Sequence, residues 1–229
     1  MKQRALLIFD LDGTLFHTEK VSIPAVQGAL RAAGYAEPSP ETIIGFFGRP
    51  YQEFFAWLNA TYPGLSPEVA ASIDEWELKM VRERGALYPG VLEMLAELRP
   101  AVGPMAICTN GPRPYTELVV KHHGLAPFFD VVRWRRGGDG SKADMVRSVL
   151  AQLRPGCGGR PAGSPLRADV GAVIGDRRDD VEAAHENGLL AIASGYGYGS
   201  EEELAGAEAV AQSPADLPRL IAALLEGKA

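Results

Sequence analysis

Leu6-Leu7-Ile8-Phe9-Asp10-Leu11-Asp12-Gly13-Thr14 is the stretch whose reading decides the fold. An apolar run of strand length ends abruptly in two carboxylates one residue apart, followed by Gly13-Thr14. A run without polar alternation predicts a strand buried on both faces, as in a parallel sheet. The glycine and threonine mark a tight exit loop. Ligands bind beyond the carboxyl ends of parallel strands. Two acids there repel each other and lose hydration, which makes a divalent cation their natural partner. The alternative is a pair of solvated loop acids.

Outward from this stretch the pattern changes twice. Residues 17–86 carry helical periodicity and no strand candidate. Ile23, Val26 and Leu30 mark one face; Tyr51, Phe54, Phe55 and Leu58 recur at i, i+3, i+4 and i+7; Val69, Ile73, Trp76 and Met80 mark a third. This reads as a helical insert with its own apolar faces. Its exposed Phe54, Phe55 and Trp57 suit a small core or a dimer surface, with core the safer reading. After Tyr88-Pro89-Gly90 the chain alternates. A helix face (Val91, Met94, Leu95, Leu98) leads to a strand at 105–108 that ends at Thr109, then a helix over 113–123 and a strand over 128–132. A second face (Val146, Val149, Leu150, Leu153) precedes a strand over 170–174 that ends at Gly175-Asp176. A helix from 179 to Gly188, a strand over 189–193 and a closing helix bearing Leu217, Leu220, Ile221 and Leu224 follow. Such alternation predicts an α/β fold, a parallel sheet with helices on both faces. The Gly/Pro-rich stretch 155–168 reads as a flexible connection with no functional reading.

Composition narrows the class. The 229 residues hold one large domain or a domain with a cap, and 46% hydrophobic content is ample for a core. A net charge of −6 excludes a basic nucleic-acid footprint. No apolar run approaches the roughly 18 residues of a membrane span. The start, Met1-Lys2-Gln3-Arg4 and a short apolar run into Asp10, lacks a signal peptide's cleavage site. Cys108 and Cys157 are too few for a disulfide framework, and Cys108 reads as a small buried hydrophobe. Together these predict a soluble cytoplasmic protein, monomer or homodimer.

Thr109-Asn110-Gly111, Lys142 and Gly175-Asp176-Arg177-Arg178-Asp179-Asp180 each follow a predicted strand or open a predicted helix. Loops after parallel strands emerge on one edge of the sheet, so these groups converge on Asp10 and Asp12. Carboxylates, a hydroxyl, an ammonium and backbone amides suit a dianionic phosphate. Taken singly, Thr109 is equally an N-cap, Lys142 a solvated helix-start lysine, and one of Asp179 and Asp180 a dipole partner. Asp139 and Asp144 read as solvated, and His122 and His123 as structural at a helix end.

The set, in this order and over nearly the whole chain, resembles the haloacid dehalogenase (HAD) superfamily. Its motifs are a DxDGT loop, a Ser/Thr after the second strand, a Lys and a GDxxxD acidic loop. The resemblance implies a Rossmann-like core (residues 1–16 and 87–229) with a small all-helical cap domain (17–86). It implies Asp10 as nucleophile forming an aspartyl-phosphate, and Asp12 as general acid and base. Mg²⁺ would be held by Asp10, the Asp12 carbonyl and Asp176, with Asp180 ligating or supporting. Gly13, Thr109, Asn110, Gly111 and Lys142 would hold the phosphoryl group. The presence of Asp12 argues against the halide-displacing members, which lack it.

A cap placed directly after the first motif, and the tail Gly195-Tyr196-Gly197-Tyr198-Gly199, are similar to the phosphoglycolate phosphatase branch. The implied reaction is hydrolysis of a small phosphate ester. A phosphomutase of the β-phosphoglucomutase type, or a phosphonoacetaldehyde hydrolase-like enzyme using Lys20 or Lys79, is the alternative. Arg49, between cap helices, is a candidate for the substrate's far end. Two departures stand out: Arg177, where relatives carry Ser or Thr, and His17, where they often carry an acid.

Overall fold

The computed structural model describes residues 5–153 and 171–226. Its sheet is built from β1 (Leu6–Phe9), β2 (Met105–Thr109), β3 (Val131–Trp134), β4 (Gly171–Gly175), β5 (Leu190–Ser194) and β6 (Ala209–Ala211). The order is β3-β2-β1-β4-β5-β6, and every pairing is parallel. Alternate residues of the central strands feed two apolar cores. Leu7, Phe9, Met105, Ile107, Ile174 and Ile192 face one side. Leu6, Ile8, Ala106, Cys108, Val173 and Ala191 face the other. Burial on both faces is why these strands read as unbroken apolar runs.

Helices α5 (Val91–Ala101), α6 (Arg113–His122) and α10 (Leu217–Glu226) supply residues to the first core. Helices α7 (Lys142–Leu153) and α8 (Arg178–Glu186) supply the second. The strand expected over 128–132 is displaced. Ala126–Phe128 forms a 3₁₀ turn, and β3 begins only at Val131. Pro127 cannot donate to a ladder, and Phe128 and Phe129 pack on the core from a loop. The three-residue edge strand β6, with Val210 exposed, is too short to show a period and escapes sequence reading. Residues 155–168 and the expected strand start at 170 lie outside the described residues.

Between β1 and α5 lie α1 (Glu19–Ala32), α2 (Pro40–Ile44), α3 (Tyr51–Thr61) and α4 (Pro67–Glu83). They enclose a separate apolar cluster of Val26, Leu30, Ile43, Phe54, Leu58 and Ile73. Phe55 and Trp57 pack against this cluster, with ring centroids 5.7 and 5.8 Å from that of Phe54. Helix α1 has a second buried face, because Val21 and Ala25 join the core beneath the sheet. The two passages into and out of this helical unit run side by side. His17 N–H donates to Ala86 O at 2.9 Å, and Tyr88 N–H donates to Leu15 O at 3.0 Å. No helix among the described residues is long and apolar enough to cross a membrane.

Candidate active site

Asp10 leaves β1 and Asp176 leaves β4, the adjacent pair at which the sheet order reverses direction. That crevice is the usual ligand position in such sheets. Asp180 arrives from the first turn of α8, where its Oδ2 also accepts the Arg177 N–H at 3.1 Å. Carboxylate atoms of Asp10, Asp176 and Asp180 lie within 4.8 Å of one another. Lys142, at the start of α7, places Nζ 2.6 Å from both Asp10 Oδ1 and Asp180 Oδ1. All four side chains are buried. Gly13 lets the acids close up: its φ is +80°, and an added Cβ would stand 2.2 Å from Asp176 Oδ2. Gly13→Ala is therefore expected to displace Asp176 and cut turnover at least about 10-fold, read as kcat/KM.

The cluster carries more negative charge than its one lysine balances. Burial raises the Asp10 carboxyl well above its usual value, against the pull of Lys142, and Asp180 and Asp176 push it further. Burial and Asp180 raise Asp176 to about 7. Burial opposes the Lys142 ammonium, but Asp10 and Asp180 outweigh it and hold its pKa above the ordinary value. Asp10 Oδ2 and Asp176 Oδ1 are buried without a hydrogen-bond partner. Hard oxygen ligands, excess negative charge and orphaned oxygens fit a divalent cation.

A carboxyl raised to about 7 binds a proton in the folded chain between its ordinary pKa and 7, where the unfolded chain has lost it. Metal-free protein should therefore melt at lower temperature as pH rises from about 4 to about 7. Added Mg²⁺ should restore more of the melting temperature at pH 8 than at pH 5. A Mg²⁺ effect independent of pH would contradict this.

Asp12, two residues from Asp10, turns away from this cluster. Its Oδ1 accepts the hydroxyls of Thr18 and Tyr115, each at 2.7 Å, and its Oδ2 accepts that of Thr109 at 3.1 Å. Thr109 Oγ1 also accepts the Gly111 N–H at 3.0 Å. The N-cap of α6 is Pro112, so Thr109 does not serve as one. The Asn110 side chain donates to Gly48 O at 2.7 Å and accepts from Arg135 Nε at 2.8 Å, which ties the helical unit to this loop. Sequence reading missed Thr18, Tyr115 and Arg135, which follow no motif.

Above Asp12 opens a cleft of about 620 Å³, its mouth included, between the helical unit and the sheet edge. Arg49 lines it, but its side chain is half exposed and lies 3.8 Å from Glu53. Lys20 and Lys79 are exposed and do not line it. His17 pairs with Glu19 at 2.8 Å, and its ring lies 3.8 Å from that of Tyr88. Arg177 runs beneath Gly48 to Glu203, with Nη2 to Oε1 at 3.1 Å, rather than into the acid cluster. Asp139 corrects an expectation: it is only partly exposed and pairs with Arg133 at 2.6 Å instead of standing free in solvent. Asp144 is exposed as expected, and the His123 ring packs on Phe16.

Residues 7–194 match the model of the haloacid dehalogenase-like hydrolase family. The chain belongs to this family. A phosphoglycolate phosphatase of Vibrio cholerae is 31% identical over 221 residues, covering 91% of this chain and 92% of that protein. The tyrosine-protein kinase PtkA of Mycobacterium tuberculosis is 30% identical over 203 residues, covering 85% of this chain. The match spans 63% of PtkA's length. Among solved structures, a haloacid dehalogenase-like family hydrolase of Streptococcus pneumoniae superposes with a TM-score of 0.75 at 25% identity, over 96% of this chain and 99% of that one.

Proposed function

We propose that the chain hydrolyses a small phosphomonoester, with Asp10 as nucleophile and Asp12 as the proton donor and acceptor. The observation that carries this is the division between two carboxylates of one loop. Asp10 lies among acids and a lysine, whereas Asp12 lines the cleft and is held by three hydroxyls. Environments that separate neighbouring carboxylates assign them different tasks. The relatives' names point the same way: phosphoglycolate phosphatases align along most of both chains.

In this reading the Asp10 carboxylate attacks phosphorus. The bond from phosphorus to the ester oxygen breaks, and Asp12 passes its proton to the leaving alkoxide. Asp12 then takes a proton from the water that attacks the aspartyl-phosphate. The bond from phosphorus to Asp10 breaks, and inorganic phosphate leaves with both carboxyl groups restored. Lys142 neutralises charge on Asp10 and on the transferring group. When substrate binds, the Thr109 hydroxyl turns from Asp12 and, with the Asn110 amide, holds phosphoryl oxygens; the Gly111 N–H fixes Thr109, and Gly13 leaves room for the group. Asp10, the Asp12 carbonyl, Asp176 and Asp180 would hold Mg²⁺, which supplies charge neutralisation to a dianionic substrate. Residues 17–86 act as a cap over the core, residues 1–16 and 87–229. Their closure, hinged at the two hydrogen-bonded passages around His17 and Leu87, excludes water from the phosphoryl group.

Phosphate release from a panel of small phosphomonoesters, phosphoglycolate included, with and without Mg²⁺, tests the reading. Mg²⁺-dependent release in step with substrate loss is expected. Isomerisation without release would mean a mutase, and no reaction with any ester would overturn hydrolysis. Arg49→Ala, at the cleft mouth, should raise KM by a few-fold at most, since exposed ion pairs contribute about 1 kcal/mol or less.

A further inference from the structure

The cleft contains a second carboxylate that the reaction above does not use. Glu77, on α4, lines it and accepts the Ser22 hydroxyl on Oε1 at 2.5 Å. Its Oε2 has no hydrogen-bond partner among the described residues. Ser22 lies one helical turn beyond Thr18 on α1, so one helix face positions both Asp12 and Glu77. Burial, with Asp74 and Asp12 nearby, raises Glu77 to about 7. The walls between are apolar: Val26, Ile43, Phe46, Phe47 and Phe54. The cation on the lining, Arg49, sits half exposed near Glu53. Asp74 is occupied by the Tyr51 hydroxyl.

An entering leaving group therefore meets apolar surface and then an acid with a free acceptor oxygen. Above about pH 7, where Glu77 is ionised, a ligand carboxylate placed there would face Glu77 and Asp12 among apolar walls, and like charges brought together out of water repel strongly. An ammonium or hydroxyl group would instead satisfy Oε2. We propose that Glu77 makes the cleft select phosphomonoesters whose leaving alcohol has an apolar body ending in a hydrogen-bond donor, and reject those ending in a carboxylate. This rests on the phosphomonoester reading and narrows it away from a glycolate-like leaving group, two carbons ending in an acid.

The test, run at about pH 8.5 so that Glu77 is ionised, uses three aryl phosphates that differ only in the para group: aminomethyl, ethyl and carboxymethyl. The expected order of kcat/KM is aminomethyl, then ethyl, then carboxymethyl, with at least about a 10-fold span, carried mainly by KM. Glu77→Gln, which keeps the shape and loses the charge, should shrink the span by about 5-fold or more. A carboxymethyl ester as good as the aminomethyl one, or a span unchanged by Glu77→Gln, overturns the proposal. If the variant fails to fold, the wild-type order alone decides.

The matching non-hydrolysable phosphonates, titrated calorimetrically into the wild-type protein, separate this from the hydrolysis reading. The same affinity order without phosphate release from any ester keeps the selectivity and defeats hydrolysis. Phosphonates bound without that order defeat the selectivity.

Discussion

Under the proposed reaction, in which Asp10 is the covalent nucleophile, Asp10→Asn is expected to lower phosphate release by roughly 10⁴-fold or more, because the change eliminates the pathway rather than slowing one step. The change should not destabilise the fold. Asparagine keeps the shape, and the cluster of Asp10, Asp176 and Asp180 has more acids than its one lysine can balance. Lys142 retains Asp180 as a partner. The metal-free variant should therefore melt at or above the wild-type temperature, since burial and neighbouring acids already hold Asp10 well above its ordinary pKa. Acid-quenching the wild-type enzyme with ³²P-labelled substrate should trap label on the protein, and the variant should trap none. Release within tenfold of wild type, or label retained in the variant, would remove Asp10 from the reaction.

Lys142→Met has the second-largest expected effect, and it separates folding from catalysis. The ammonium is 2.6 Å from two buried carboxylates, so its loss leaves Asp10 and Asp180 facing each other unneutralised. Breaking one partner of a buried ion pair destabilises by about 3–5 kcal/mol. Asp10 and Asp176, whose carboxyls are raised above their ordinary values, relieve part of this by taking up protons. The loss should therefore deepen as pH rises from 6 to 8, because ionising a carboxyl with a raised folded pKa opposes folding. Urea unfolding at the two pH values measures it. The double change Lys142→Met with Asp180→Asn should recover part of the stability. It should not recover turnover, which is expected to fall about 10²–10³-fold with the loss of one charge-stabilising donor. A variant as stable as wild type at pH 8 would mean that Lys142 is not the counter-charge of the cluster.

Much of this site could be read from the chain before its three-dimensional arrangement was known. Asp10, Thr109 and Asp176 each end an apolar run, and a parallel sheet delivers such positions to one edge. Lys142 opens an amphipathic stretch and Asp180 lies in the first turn of another. Short elements were less legible. β6 has three residues and α2 has five, too few to show a period above noise.

Local spacing, then, determined the α/β alternation, the helical insert and the acids at the strand ends. Side-chain periodicity reports which backbone state a segment adopts and which face it buries. Tertiary structure alone decided which way those acids point. Asp12 and Asp10 share a loop, yet Tyr115, 103 residues onward, and Thr109, 97 onward, turn Asp12 to the cleft. Lys142 meets Asp10 across 132 residues. Asp139, in a polar loop that read as solvated, is claimed by Arg133 from the edge of the sheet. Glu77 follows no motif, and only the packing of α1 on α4 sets it against Ser22. Such pairings depend on how elements dock, and a sequence period carries no information about the partner across a packed interface.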